Sequence, residues 1–251
     1  MALTAGARDD HYSDFGSAFN PRLAVVWKNS DRLTTKLMYG EALRAPSYQE
    51  LFAKTSNALP NTQLDPERSQ TLDLAFSYVA TKDLQLNLNL FHFKHTDLIS
   101  KVGLPKQFQN TGDHVIRGIE LEARWQAAKE LSVFANFTAR DHRNNEYRSF
   151  DQPNQEAYLR LDWGFKPQWN WNLQSNWIGS RTRAAGDNRA AVKDYFLTDS
   201  TVRYAQSNNL ELAASVRNLF DTDAREYTGK AIPNDLPLPD RNFYAEMRYK
   251  F

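Results

Sequence analysis

Three sets of side chains carry the groups that could do chemistry. Arg44, Tyr48, Phe52, Phe108, Arg140, Tyr147, Arg148, Arg181 and Arg183 lie in or beside long polar stretches. Guanidinium forks grip anions and aromatic faces bind cationic or planar groups, so this set suits capture of an anionic, aromatic-rich solute. In the second set acids and bases alternate with apolar residues: Glu120, Glu122, Asp162 and Glu211 stand near Arg124, Arg160, Arg203 and Arg217. Such residues either line a water path or hold a neighbouring body through ion pairs. The third set is His11, His92, His95, His114 and His142. His92 and His95 are three apart in an extended stretch and point to opposite faces, a spacing that builds no metal site. The chain has no cysteine, so thiolate metal sites and disulfides are excluded. No Ser/His/Asp order, paired-carboxylate signal or glycine-rich phosphate loop is present, and nothing implies an enzyme or a cofactor.

The elements that must position these groups follow from composition and periodicity. The 251 residues carry a formal net charge of +1, which gives no support to nucleic-acid binding. Mean hydropathy is low at -0.67, yet aromatics make up 13% of the chain. A transmembrane barrel combines the two, because one strand face meets lipid and the other meets water. No run of about 18 apolar residues exists to form a transmembrane helix. The N-terminal MALTAGARDD lacks the basic start and apolar stretch of a signal peptide, so the sequence reads as a fragment of an exported protein.

Period-two alternation predicts about twelve strands, near residues 3–9, 22–28, 32–42, 72–78, 84–90, 119–125, 131–137, 159–165, 169–177, 196–204, 210–216 and 243–251. Short turns are expected at 28–31, 80–83, 126–130, 166–168 and 206–209. Long polar connectors are expected at 11–20, 43–67, 99–114, 141–154, 181–194 and 218–240. Strict alternation of short and long connectors is the habit of outer-membrane barrels, with tight periplasmic turns and long external loops. Leu74, Leu88, Leu121, Leu161 and Leu212 are expected to face lipid, and Ser77 and Asn136 the lumen. Trp27, Tyr78, Trp125, Trp163, Phe165, Trp169, Tyr204, Tyr249 and Phe251 each sit beside a short turn or the chain end, as an interfacial aromatic girdle requires. Asn218 to Asp221, and Arg44 to Pro46, read as loop anchors, because Asn and Asp side chains bond nearby backbone and stop a strand.

Several stretches, in order, resemble the TonB-dependent receptor family over nearly the whole chain. They are Gly6, Arg8 and Asp10 with Pro21 and Arg22; YGEALRAPSYQELF; LDPERSQTLDL; VIRGIELEA; SVRNLFDTDAREY; and LPDRNFYAEMRYKF, with Asp240 where the family has Gly. The resemblance implies an all-β transmembrane antiparallel barrel of 22 strands. Residues 1–251 would form its C-terminal portion, with the plug domain and the N-terminal strands absent. It implies a receptor in the outer membrane of a Gram-negative bacterium, among lipid and lipopolysaccharide, that imports a ferric siderophore or similarly scarce solute. Energy would come from the TonB complex through the plug, which the lumen-facing charges would grip. The loop arginines and aromatics would bind the iron chelate. Phe243, Met247, Tyr249 and Phe251 resemble the terminal signal read by the barrel-assembly machinery. Alternatives are a haem or cobalamin receptor of the same family, a self-contained twelve-stranded porin or outer-membrane enzyme, and a soluble β-rich module.

Overall fold

In the computed structural model the described residues are 1–13, 16–143, 152–184, 186–229 and 232–251. Tyr147 and Arg148 lie outside them. The chain forms β1 (Ala2–Tyr12), β2 (Gly16–Lys28), β3 (Leu33–Arg44), α1 (Tyr48–Leu51), β4 (Glu67–Thr81), β5 (Leu84–Thr96), β6 (Ile99–Val102), β7 (Gln107–Asn110) and β8 (His114–Ala128). Then follow β9 (Leu131–Arg143), β10 (Gln155–Lys166), β11 (Trp169–Gly179), β12 (Tyr195–Ala205), β13 (Leu210–Arg217), β14 (Arg225–Glu226), β15 (Leu236–Pro237) and β16 (Asn242–Tyr249). Twelve strands make one sheet in the order β1-β2-β3-β4-β5-β8-β9-β10-β11-β12-β13-β16. These are the twelve strands that alternation predicts, most of them longer toward their loop ends. The pairs β6–β7 and β14–β15 are separate small hairpins inside long connectors.

One expected connector is corrected. Residues 11–20 are not a long loop, because β1 and β2 pair up to Tyr12↔Gly16, with Asp10↔Ala18 and Arg8↔Asn20 on the way. Polar side chains mislead here, since a ladder is made of backbone and continues wherever two strands stay side by side. Pro21 sits just past the last β2–β3 partner pair, Arg22↔Gly40, so the β3 ladder does not ask for its missing amide. From β2 onward the alternation of short and long connectors holds.

The chain divides into two compact units. The first comprises Met1–Phe76, Asn89–Gly118 and Asp141–Arg148. Its buried apolar cluster, Leu51, Ala58, Leu64 and Phe108 with Ile99 against it, belongs to the connectors and not to a strand face. A Cβ at Gly6 would stand 2.9 Å from Arg22 Nε, so that flexible side chain would have to shift to admit one. The Arg22 side chain therefore lies flat across β1, which accounts for a glycine opposite an arginine in the register.

The second unit comprises Ser77–Leu88, Ile119–Arg140 and Ser149–Phe251. Its apolar face is exposed: Leu121, Trp125, Leu159, Trp163, Leu212, Phe243 and Met247 are all uncovered. Its polar face is bonded instead: Asn87 donates to Glu122 at 3.0 Å, Asn170 to Asp162 at 2.7 Å, and Thr201 and Ser215 share a bond of 2.9 Å. No described large side chain in the chain is fully buried. A soluble sandwich would bury its apolar face, whereas a sheet with an apolar outer face and a bonded polar inner face fits lipid on one side and water on the other.

Aromatic rows mark the edges of that apolar face. Trp171, Trp163, Phe165, Trp169 and Tyr204 form a chain of ring contacts 4.6 to 6.3 Å between centroids on the short-turn side. The indole of Trp171 donates to Ser200 at 2.9 Å, so its polar atom is satisfied. A second row not read from the sequence, Phe137, Trp177 and Phe196, runs on the loop side. The Trp177 ring lies over Gly179, where any Cβ would collide with it. Trp169 and Trp177 are eight positions apart on β11, as are Phe196 and Tyr204 on β12. At roughly 3.3 Å per residue this is about 26 Å along the strand. With strands tilted roughly 40°, the span is about 20 Å across the bilayer, close to the ~25 Å apolar band of such barrels.

Candidate functional site

The loop-side candidates in the first unit are built on Arg44. Its guanidinium bonds Glu67 through two contacts of 2.6 Å and Glu50 at 3.1 Å. Glu50 also closes a capping box on α1 with Ser47. Glu67 accepts from the Ile99 amide at 2.8 Å and lies 3.3 Å from His95. Burial pushes Glu67 up, but the bonds from Arg44 and Ile99 outweigh it and hold the carboxyl below its ordinary value. The connector 45–66 is also stitched to β6–β7, by Leu59 N to Lys106 O at 2.8 Å and Asn61 Nδ2 to Phe108 O at 3.0 Å. Arg44 is thus a loop anchor. Phe108 is buried under the connector, where its ring completes the small apolar cluster. Tyr48 and Phe52 are 76% and 52% exposed, with centroids 5.4 Å apart. They are the aromatic pair open to solvent on this connector.

In the second unit the loops 180–194 and 218–241 are clasped by charge. Arg183 binds Asp235 through both terminal nitrogens, at 2.9 and 2.5 Å. Arg189 binds Asp187 at 2.7 Å and Asp235 at 3.3 Å, and donates to the carbonyls of Thr228 and Ile232. The bond from Arg183 holds the Asp235 carboxyl down at about 2, and that from Arg189 holds Asp187 at about 2. Arg181 lies inward of the clasp. Its side chain is 0% exposed, donates to the carbonyls of Arg225 and Lys193, and lies 4.8 Å over the Tyr195 ring. Both acceptors are backbone carbonyls, one of them in β14. Arg140 pairs with Glu156. The clasp could not be read from the sequence, since Arg183 and Asp235 are 52 residues apart and no periodicity links them.

Asn218 is 4% exposed and ties the last long loop at both ends. Its side chain donates to Thr222 O at 3.0 Å and Pro239 O at 3.2 Å, and accepts from Thr222 N at 2.9 Å. Asp221 accepts from the Arg241 amide at 2.9 Å. Both residues have positive φ, 49° and 55°, where Asn and Asp are tolerated better than other side chains. The anchoring role expected from their types is the one they have.

Several of the eight charges expected to face the lumen make local contacts among the described residues. Glu122 and Arg124 pair at 2.9 Å. Arg124 and Arg160 lie over the Phe134 ring at 5.6 and 5.7 Å, beside a pocket of about 580 Å³ that also takes in Tyr158 and Gln126. Asp162 is held by Asn170 and Asn172. Arg217 lies over Tyr244 at 5.0 Å, and Glu211 is 3.7 Å from Arg248. Phe243 and Met247 share the exposed apolar face of β16, with Tyr249 at its last position and Phe251 just beyond, ring centroids 5.2 Å apart.

An antiparallel sheet with an exposed apolar face between aromatic rows, a bonded polar face and long clasped loops on one side defines an outer-membrane barrel wall. The family model for the β-barrel of TonB dependent receptor-like proteins matches residues 1–219. The vitamin B12 transporter BtuB of Vibrio cholerae serotype O1 is 23% identical over 257 residues, covering 99% of this chain and 40% of that protein. The siderophore receptor PirA from Pseudomonas aeruginosa superposes with a TM-score of 0.73 at 22% identity, over 99% of this chain and 43% of that one. A ferric enterobactin receptor (PfeA) variant from the same organism, in complex with enterobactin, gives 0.80 at 22% identity over the same shares. The chain belongs to the TonB-dependent receptor family and resides in the outer membrane of a Gram-negative bacterium. It spans about 40% of the length of the curated relatives that it matches.

Proposed function

We propose that residues 1–251 supply the C-terminal portion of the barrel of an active-transport receptor for a ferric siderophore or similarly scarce solute. In that reading Glu120, Glu122, Arg124, Arg160, Asp162, Arg203, Glu211 and Arg217 face a plug, through which the TonB complex acts. Phe243, Met247, Tyr249 and Phe251 serve assembly. The observation that carries the solute class is the exposed Tyr48–Phe52 pair, set on a connector that Arg44, Glu50 and Glu67 hold rigid. Two exposed aromatic faces on a fixed support suit a planar, aromatic-rich chelate and lose little entropy on binding it. With Arg44, Arg140, Arg181 and Arg183 committed to internal partners, charge from these four is a smaller part of capture than shape and stacking. A cobalamin receptor is the second reading, favoured by the likeness to BtuB over 99% of the chain.

The test is equilibrium binding of ferric enterobactin, cyanocobalamin and haemin to the purified receptor that contains this chain. Ferric enterobactin should bind, and Tyr48→Ala with Phe52→Ala should weaken it about tenfold, a loss of about 1.4 kcal/mol. Preference for cyanocobalamin would establish the second reading, and indifference to the double substitution would remove the aromatic pair from the site.

A further inference from the structure

Phe134 breaks the pattern of its strand. Val133 and Ala135 belong to the apolar face of β9, so Phe134 stands on the polar face, away from lipid. It is half-buried there, and the side chains gathered round it are bases. Arg160 of β10 is opposite Phe134 in the register, and Arg124 comes from β8, on the other side of β9. Their guanidinium carbons lie 5.7 and 5.6 Å from the centre of the Phe134 ring. The Tyr158 ring is 6.0 Å away. The pocket of about 580 Å³ at this place is lined by three bases, Lys82, Arg124 and Arg160, and by one acid, Asp83. We propose that this pocket is a carboxylate-binding site, with Arg160 as its principal partner and Arg124 as its second.

The two guanidiniums have bonding capacity to spare. Among the described residues no carboxylate pairs with Arg160, whose contact is the Phe134 ring. Arg124 gives its Nε to Glu122 at 2.9 Å, which leaves its terminal nitrogens for a second anion. The neighbours do not compete. Asp162 is held by Asn170 and Asn172, and Tyr158 donates to Gln174 at 3.1 Å. Like charges in one pocket repel, and an anion between them relieves the repulsion. Contact with one ring orders both long arms in advance, so fewer rotamers are lost when the anion arrives. A guanidinium fork meets a carboxylate through two parallel N–H···O bonds. Phe134 and Tyr158 give the pocket an apolar floor, which suits a carboxylate carried on a carbon body better than a phosphate ion. The inference rests on the reading that this face looks into the lumen against a plug. The carboxylate then belongs to an Asp or Glu side chain of that body; a free solute in the lumen is the other source of the same chemistry.

The test places a photo-crosslinking p-benzoylphenylalanine at Ser132, which lines the pocket, in the full receptor that contains this chain. Mass spectrometry identifies what it captures. A segment outside residues 1–251 with an Asp or Glu beside the crosslink is expected. Arg160→Glu, and separately that acid replaced by Arg, should each lower the urea midpoint for release of the segment, and the two together should restore it. Where no segment is captured, calorimetry with sodium benzoate reads the free source. Saturable binding that Arg160→Gln weakens about tenfold, with no response to inorganic phosphate, would support the site. Capture of a segment that has no acid, additive losses in the charge exchange, phosphate binding as tight as benzoate, or neither capture nor benzoate binding would overturn it. Ferric enterobactin affinity, measured on the same samples, reports on the solute reading separately.

Discussion

Asn218 shows how much one side chain can decide. It supplies two donors and one acceptor to a loop whose own carbonyls face away from the ladder. Asn218→Ala leaves the carbonyls of Thr222 and Pro239 and the amide of Thr222 without these partners, and should cost about 1–3 kcal/mol. The urea midpoint for refolding into lipid vesicles measures this, and an unchanged midpoint would deny the anchor. The clasp of Asp235 has a pH signature. Its folded value of about 2 lies below the unfolded value of about 3.9. A depressed carboxyl stabilises the folded form above its unfolded value and loses that contribution as pH falls through its folded value. Protection of the amides of 186–189, taken relative to their intrinsic exchange rates, should therefore hold down to about pH 4 and fall toward pH 2. Asp235→Asn should show the reduced protection already at pH 7. Protection that does not change across this range would contradict the clasp.

Elements were legible where side chains obey the pleat. All twelve strands follow from residues such as Leu72, Leu74 and Phe76, or Leu159, Leu161 and Trp163, recurring at period two. The β1–β2 hairpin was misread because Asp9, Asp10, His11 and Asn20 look like loop residues, although their backbones pair. The upper aromatic row escaped notice because Phe137, Trp177 and Phe196 come from three strands whose register a single sequence does not show. The burial of Arg181 and Phe108 was not legible, because polarity and aromaticity do not reveal which loop residues fold inward. Face assignment makes its own prediction. Arg in place of Leu74, Leu88, Leu121, Leu161 or Leu212 should cost about 2–4 kcal/mol at mid-membrane, and Arg at Ser77 or Asn136 much less. Refolding midpoints in vesicles compare the two groups, and equal penalties would mean that the faces are reversed or absent.

At the scale of the whole molecule the fold is defined by the inversion of its faces. The apolar residues are uncovered and the polar ones are bonded to each other, so the sheet is unsuited to water on both sides. Among the described residues the connectors hold most of the buried apolar side chains, and in the first unit the bonds of Arg44 to Glu50 and Glu67 steady the connector that carries Tyr48 and Phe52. These features reduce to one claim: the odd-numbered residues of β8, Ile119, Leu121 and Ala123, face lipid, and Glu120, Glu122 and Arg124 do not. The chain has no cysteine, so single cysteines can carry spin labels at each position from 119 to 124 in the protein reconstituted in bilayers. Collision with dissolved oxygen, which concentrates in hydrocarbon, should peak at 119, 121 and 123 and fall at 120, 122 and 124. Low oxygen accessibility at the odd positions, as in a buried soluble core, or a profile with no period of two, would contradict the account.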